Sequence, residues 1–171
     1  MILIVCGVSG TGKSTIGQVL AEEMKLPFFD ADDFHPETNV QKMQSGVALN
    51  DEDRQPWLES LSAELVLWES NGGAVLACSA LKESYRQILA SQCKNDIRWI
   101  ILHGSTSLLT ERLNSRKGHY FDPRLLDSQL DTLELPDYGW IIDVQSTPDE
   151  IVSDISQRLF ENPNTSVSTN L

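Results

Sequence analysis

The chain has 171 residues, 40% of them apolar, and its formal net charge is -12. This length predicts one well-packed domain and is too short for two ordinary domains. So acidic a balance argues against a general nucleic-acid binder, because contacts to phosphate backbones need an excess of Lys and Arg. No stretch approaches the roughly 18 consecutive apolar residues of a membrane helix.

The first predicted strand covers residues 2–6, and a helix with an apolar stripe follows from about Lys13. Between them the sequence matches the full pattern G-x-x-x-x-G-K-[ST], in the strand–loop–helix context in which that pattern binds phosphates. Its backbone N–H groups and the helix N-terminus would hold a nucleotide, with Lys13 on the outer phosphates and Ser14 on Mg²⁺. The expected nucleotide-binding residues here are Gly7, Ser9, Gly10, Thr11, Gly12, Lys13, Ser14 and Thr15.

This phosphate-binding loop alone leaves a GTPase, an ATPase or a kinase open. No Asn-Lys-x-Asp motif, which would read a guanine base, follows the fourth or fifth predicted strand. The remaining loops must therefore decide between the classes.

Two carboxylates leave the second predicted strand, residues 26–29, with one residue between them. One of them, Asp30 or Asp32, can help to hold Mg²⁺, and the other can accept a hydroxyl proton. The third predicted strand, residues 74–78, ends at Ser79 without an acidic residue. The missing strand-end aspartate favours Asp30 as the Mg²⁺ ligand.

The rest of the chain alternates helix and strand. A helix through residues 57–68 ends at 71–73, a helix reaches about residue 92, and a strand spans 99–102. Two helices then flank a basic interruption at Arg116, and a strand spans 140–144. Thr147, Pro148 and Glu150 predict the N-cap, first turn and capping box of a last helix.

Alternating strands and helices predict an α/β fold, with a five-stranded, mostly parallel sheet and helices on both faces. Ligands of such sheets bind at the carboxyl ends of the strands, where every motif above lies. We expect one domain over residues 1–160. A tail of Asn, Thr and Ser over residues 161–171 has no apolar stripe and is expected to be flexible.

Two longer stretches resemble signatures of the gluconokinase family. The first consists of His35-Pro36, Asn39, Lys42-Met43, Gly46, Leu49, Asp51, Asp53-Arg54 and Pro56-Trp57-Leu58, and the second of Cys78-Ser79-Ala80-Leu81-Lys82 with Tyr85-Arg86. The family's lid is resembled by Arg112-Leu113, Arg116, Gly118-His119 and Phe121, and the segment after it by Gln129, Leu133-Glu134 and Pro136. The resemblance runs from Ile2 to about Leu159, with departures at Leu130 and Leu135.

This resemblance implies that ATP phosphorylates D-gluconate on its 6-hydroxyl, giving 6-phospho-D-gluconate and ADP, with Mg²⁺ as the second cofactor. It implies a P-loop kinase fold like that of the nucleoside monophosphate and shikimate kinases. A substrate-binding segment at about 33–58, a short lid at about 115–123 and a homodimer are implied as well.

A polyol carboxylate needs cationic groups at its carboxyl end and hydrogen-bonding groups along its hydroxyls. The expected substrate-binding residues are Asp32, His35, Asn39, Lys42, Arg54, Lys82, Arg86, His119 and Gln129. For the two arginines the alternative is an ion pair with a neighbouring carboxylate, and for the two histidines a plain loop position. Which cation pairs with the substrate carboxylate stays open.

The mechanism expected from these residues is in-line phosphoryl transfer. Asp32 would act as the base or orienter of the acceptor hydroxyl, while Lys13 and Arg116 offset charge on the γ-phosphoryl group. Ser14 and Asp30 would hold Mg²⁺. Arg112 is expected to stack on the adenine, against the alternative of a favourable cation at a helix C-terminus.

Two other functions stay open, namely a kinase for shikimate or a nucleoside monophosphate, and a nucleotide-binding regulatory module without chemistry. The long insertion at 35–57 argues against the first, and two basic signatures argue against the second. The apolar start lacks the features of a leader peptide, and Cys6, Cys78 and Cys93 form no CxxC pair. We therefore expect a cytoplasmic protein with a small-molecule substrate.

Overall fold

The computed structural model describes residues 1–115 and 123–161 and contains one five-stranded sheet. The strands are β1 (Ile2–Cys6), β2 (Phe28–Asp30), β3 (Ala74–Ala77), β4 (Arg98–His103) and β5 (Trp140–Asp143). Their order across the sheet is β2-β3-β1-β4-β5, and all four neighbouring pairs are parallel. Because β1 is central and buried at every position, the loop that follows it opens at the middle of the carboxyl edge.

The helices are α1 (Lys13–Met24), α2 (Glu37–Gln44), α3 (Asp51–Ser70), α4 (Glu83–Ala90), α5 (Thr106–Ser115), α6 (Pro123–Thr132) and α7 (Pro148–Glu161). A 3-10 turn, Ala31–Phe34, follows β2 directly. None of the helices within the described ranges combines the length and the hydropathy needed to cross a bilayer.

Two hydrophobic cores lie on opposite faces of the sheet, because successive strand side chains point to opposite sides. Leu3 and Val5 pack with α1 and α7 on one face. Ile2 and Ile4 pack with α3 and α4 on the other. The predicted α/β fold with a parallel sheet and helices on both faces is therefore confirmed.

The segment between residues 26 and 50 differs from the sequence prediction. β2 begins at Phe28 and not at Leu26, because the Leu26 N–H closes the end of α1 on the Ala21 carbonyl oxygen, 2.9 Å away. The stretch up to Asn50 contains α2, which was not predicted. Asn39 is its one buried residue, so α2 has no apolar stripe that the sequence could reveal.

The two helices predicted on either side of the basic interruption are present as α5 and α6, and α7 begins as predicted. The Thr147 N–H donates to Glu150 Oε2 at 2.9 Å, and the Glu150 N–H donates to Thr147 Oγ1 at 3.4 Å. These two bonds form the expected capping box. Most of the predicted lid at 115–123 and of the predicted tail at 161–171 lies outside the described residues.

Candidate active site at the carboxyl edge of the sheet

The loop between β1 and α1 takes a shape that only glycine allows at its two ends. A Cβ atom on Gly7, at φ 142°, would lie 2.6 Å from the Leu102 carbonyl oxygen. Gly12 caps α1 in the left-handed region at φ 89°. The residues between them are therefore free to wrap backbone N–H groups around phosphates ahead of the helix N-terminus.

The Val8 carbonyl oxygen gathers two polar side chains of this loop. Thr11 Oγ1 donates to it at 2.8 Å, and Lys13 Nζ donates at 3.3 Å. Burial lowers the pKa of Lys13, while the nearby Asp32, Cys78 and Asp30 act in the opposite direction. Lys13 therefore stands inside the phosphate loop with carboxylates close to its ammonium group. Ser9 and Gly10 belong to the same turn, and Thr15 is exposed at the start of α1.

Ser14 and Asp30, the two residues predicted to hold Mg²⁺, lie in contact. Ser14 Oγ donates to Asp30 Oδ2 at 2.6 Å, and the other oxygen, Oδ1, accepts the Asp32 N–H at 3.1 Å. Hydroxyl and carboxylate oxygens are ligands that suit Mg²⁺. Residues 1–115 and 123–161 hold no cluster of three His, Cys, Asp or Glu side chains suited to a metal ion. The chemistry of this hydroxyl–carboxylate pair therefore fits the predicted Mg²⁺ ligands.

Asp32 extends from the 3-10 turn into solvent, and 88% of its side chain is exposed. We call the solvent-filled space between Asp32, the phosphate loop and the N-terminus of α3 the cleft. Desolvation and the neighbouring Asp30 carboxylate raise the pKa of Asp32, whereas Lys13 and His35 oppose that change. Water in the open cleft screens these effects, so we expect them to strengthen when a substrate fills the space. The direction of the shift makes Asp32 a better proton acceptor.

His35 lies behind Asp32 against a wall formed by α2 and α3. Its imidazole stacks on the Trp57 indole with ring centroids 4.2 Å apart, and Trp57 Nε1 donates to the Ala31 carbonyl oxygen at 2.9 Å. Asn39 Nδ2 lies 3.4 Å from His35 Nδ1 and donates to the Asp53 carbonyl oxygen at 2.8 Å. Burial and the nearby Arg54 lower the pKa of His35, while Asp32 acts in the opposite direction.

Three predicted substrate-binding cations lie around the N-terminus of α3. Lys42 Nζ bonds Asp53 at 2.6 Å, and Lys82 Nζ bonds both oxygens of Asp51 at 2.8 and 2.9 Å. Arg54 donates to the Leu49 carbonyl oxygen. Each lysine is thus paired with a carboxylate, and the guanidinium of Arg54 has no carboxylate partner in the described part of the chain.

Tyr85 joins two of these cations into one cluster. Its hydroxyl donates to Asp51 Oδ1, while Lys82 Nζ and Arg54 Cζ lie 5.4 and 5.7 Å from the centroid of its ring. Attraction of a cation by an aromatic face is favourable at such distances. Sequence reasoning did not select Tyr85 or Asp51 as site residues, although Lys82 and Tyr85 stand one helical turn apart.

Arg86 takes a different position from the other cations, because it is only 2% exposed. Its guanidinium donates to the carbonyl oxygens of Ala80 and Glu134, each at 2.8 Å, and lies 2.9 Å from Glu83 Oε2. The Tyr138 hydroxyl donates to that same Glu83 oxygen at 2.8 Å. The alternative left open by the sequence was a surface ion pair, whereas in this ion pair with Glu83 the guanidinium is buried, and its geometry favours a structural role for Arg86.

Two further predicted site residues, Gln129 and Arg112, bond backbone groups at the carboxyl edge of the sheet. Gln129 of α6, predicted to bind substrate, accepts the Ser9 N–H with its Oε1 atom at 2.7 Å. Arg112 of α5 donates to the Val144 carbonyl oxygen just beyond β5. The predicted site residues Arg116 and His119 lie outside the described residues.

The comparisons with known proteins agree with this arrangement. The family model described as Shikimate kinase matches residues 9–159. A protein of Dictyostelium discoideum named probable gluconokinase is 45% identical over 168 residues, which cover 91% of this chain and 84% of that protein. The chain belongs to the gluconokinase family, within the wider shikimate kinase family.

Further relatives and a solved structure support membership of the gluconokinase family. The thermoresistant gluconokinase of Escherichia coli (strain K12) is 40% identical over 136 residues, which cover 79% of this chain and 77% of that protein. A crystal structure of a gluconokinase from Sinorhizobium meliloti 1021 is 37% identical, with a TM-score of 0.82 over 95% of this chain and 97% of that one. The P-loop kinase fold predicted from the sequence is thus shared with a gluconokinase.

The two gluconokinase signatures of the sequence meet in space through named contacts. Lys82 of the second signature bonds Asp51 of the first, and Tyr85 bonds the same carboxylate. Glu134, from the segment after the predicted lid, is joined to the second signature because its N–H donates to the Leu81 carbonyl oxygen at 2.8 Å. Residues that are more than thirty positions apart in sequence therefore form one side of the cleft.

Proposed function

We propose that this member of the gluconokinase family transfers the γ-phosphoryl group of ATP to the 6-hydroxyl of D-gluconate, giving 6-phospho-D-gluconate and ADP. The observation that carries the proposal is the combination of a phosphate-binding loop, two carboxylates beside its lysine, and a cationic cluster at the same edge. The relatives named above as gluconokinases support this choice of acceptor.

The phosphoryl donor would lie in the loop between β1 and α1. Lys13 would contact the outer phosphates and offset the charge that develops in the transition state. Ser14 and Asp30 would hold Mg²⁺, which would neutralise part of the phosphate charge. Arg112 is proposed to contact the adenine, and Arg116 to reach the transferring group.

The acceptor would lie between Asp32 and the cationic cluster. Asp32 accepts the proton of the 6-hydroxyl, because it projects into the cleft and its pKa is raised by desolvation and by Asp30. Arg54 is our candidate for the substrate carboxylate, because it lacks the carboxylate partner that Lys42 and Lys82 each have within the described residues. His119 and Gln129 stay predicted contacts.

The first experiment measures ADP release by the purified protein with ATP and Mg²⁺ and one acceptor at a time. The acceptors are D-gluconate, shikimate, a nucleoside monophosphate and D-glucose at equal concentrations, and a reaction without acceptor gives the basal ATPase rate. We expect turnover with D-gluconate and a low basal rate. Turnover with a different acceptor, or with none, would refute the assignment of the substrate.

Shikimate is the second candidate acceptor, because the family model that matches residues 9–159 is described as Shikimate kinase. The acceptor panel separates the two candidates directly. The cytoplasmic location and the homodimer remain proposals that rest on the sequence and on the family.

A further inference from the structure

The imidazole of His35 is held in place by Trp57 and Asn39, although it belongs to the loop between the 3-10 turn and α2. Its face stacks on Trp57 at an interplanar angle of 16°, and only 5% of its side chain is exposed. Trp57 is 4% exposed and is itself fixed by the Ala31 carbonyl oxygen, one residue before Asp32. The ring therefore has little freedom to change its orientation.

Asn39 fixes which nitrogen of this ring carries the proton. The Asp53 carbonyl oxygen can only accept, so the amide group that faces it at 2.8 Å must be the NH₂ group of Asn39. The second N–H of that group then faces His35 Nδ1 at 3.4 Å. Nδ1 must accept, so the neutral ring carries its proton on Nε2. A proton on Nδ1 would place two N–H donors, one from His35 and one from Asn39, face to face.

The Nε2–H group faces Asp32. His35 Nε2 lies 3.9 Å from Asp32 Oδ1, which is too long for a hydrogen bond but close enough for one to form after a small movement of the carboxylate. No other hydrogen-bond acceptor of Nε2 occurs within residues 1–115 and 123–161. Catalytic contacts of this kind commonly shorten once the substrates are bound.

We propose that His35 is a positioning residue that acts through Asp32: its Nε2–H, fixed by Asn39, holds Oδ1 and leaves Oδ2 directed at the acceptor hydroxyl. The inference deepens the proposed function and rests on its assignment of Asp32 as the proton acceptor. Asp32 needs such support, because 88% of its side chain is exposed and its carboxylate accepts no hydrogen bond from the described residues, its two hydrogen bonds being made by its backbone N–H and carbonyl groups. An exposed carboxylate would otherwise rotate among several orientations.

Three substitutions at His35 distinguish the contribution of Nδ1 from that of Nε2. His35→Phe keeps the stacking on Trp57 and removes both nitrogens, His35→Gln can place an amide N–H near the position of Nε2, and His35→Asn reaches only the position of Nδ1. We expect kcat to fall on the order of ten- to a hundredfold in His35→Phe and His35→Asn. His35→Gln should recover most of that loss, and the KM values for ATP should stay close to that of the unaltered protein.

A double-mutant cycle with Asp32→Asn tests whether His35 acts through that carboxylate. In the Asp32→Asn background, His35→Phe should cost no further activity, because the two residues act as one unit. A further loss equal to that seen alone would overturn the inference. So would a rise in the acceptor KM at unchanged kcat in His35→Phe, since His35 would then contact the acceptor itself.

A measurement that does not depend on turnover tests which nitrogen of His35 carries the proton. Nitrogen-15 NMR of the imidazole groups at pH 8, with the signal of His35 identified by its loss in His35→Phe, should show Nδ1 without a proton and Nε2 with one. A proton on Nδ1 would overturn the inference even in a fully active kinase. Conversely, the expected tautomer in a protein that phosphorylates no acceptor would refute only the proposed function.

Discussion

Arg54 and Arg86 both belong to sequence segments that resemble a substrate-binding signature, yet their surroundings differ. Arg86 is 2% exposed and bonds carbonyl oxygens on two loops, whereas Arg54 is partly exposed beside the Tyr85 ring. A buried cation that loses its partners destabilises the fold, and an exposed cation that is removed changes mainly what binds beside it. The two arginines therefore offer a matched pair.

We predict that Arg86→Met lowers the free energy of unfolding by about 3 kcal/mol or more, because three carbonyl oxygens and Glu83 each lose a donor inside the protein. Arg54→Met should cost less than about 1 kcal/mol and should instead raise the KM for the acceptor. Urea unfolding and steady-state kinetics on both variants check this. Equal losses of stability would contradict the division of roles.

Asp32 carries the second prediction at this scale. Asp32→Asn keeps the volume of the side chain and removes its ability to accept a proton, so kcat should fall by on the order of a hundredfold or more. Binding of ATP, measured by calorimetry, should change little, because Lys13 and Ser14 remain in place. Near-normal turnover would transfer the proposed role to Asp30.

Sequence patterns predicted the residues whose position depends on the local chain. The phosphate loop is such a case, since its glycines, Lys13 and Ser14 lie within eight residues of one another and between a strand and a helix. The setting of His35 depends on Trp57, Asn39 and the Asp53 carbonyl, which come from two helices. Periodicity contains no information about such contacts, so His35 could be selected only from its place in a family signature.

At the scale of the element, capping residues predicted the start of one helix, whereas the lack of an apolar stripe hid another helix. The start of α7 was predicted from Thr147, Pro148 and Glu150, and the bonds of that capping box are present. The helix α2 was missed, because it buries only Asn39 and is held by polar contacts such as Lys42 to Asp53. Polar anchoring leaves no periodic trace in the sequence.

The cap of α7 supports a test away from the cleft. Thr147→Ala should lower the free energy of unfolding by about 1 kcal/mol, because the first turn of α7 loses its side-chain acceptor. Thr147→Ser, which keeps the hydroxyl, should lose much less. Urea unfolding measures both variants, and kcat should stay unchanged in each. Equal stability of the two variants would show that the cap contributes nothing.

At the scale of the whole molecule, the net charge of -12 makes the stability at acidic pH the property to test. Hydrogen bonds lower the pKa values of several carboxyl groups: Lys82 acts on Asp51, Lys42 on Asp53, and the Lys94 N–H on Glu69. A group whose pKa is lower in the folded state stabilises the fold above its unfolded pKa, and this contribution disappears as the pH falls through the folded pKa.

We therefore predict that the free energy of unfolding declines as the pH drops through the unfolded values of 4.5 for Glu and 3.8 for Asp and continues to decline below them. Glu69→Gln, which lies away from the cleft, should make this decline shallower. Urea unfolding at pH 7, 5, 4 and 3 gives the comparison. Identical acid profiles for the variant and the unaltered protein would contradict the assignment to Glu69.

The stacked pair of Trp57 and His35 also has an optical consequence. Indole emission depends on the polarity and charge around the ring, and this indole stacks directly on the imidazole of His35, which faces Asp32. Any compound that enters the cleft and draws Asp32 toward the imidazole changes those surroundings. Indole emission should therefore report acceptor binding, and Trp57→Phe, which leaves Trp68, Trp99 and Trp140 in place, identifies the part of the signal that comes from Trp57.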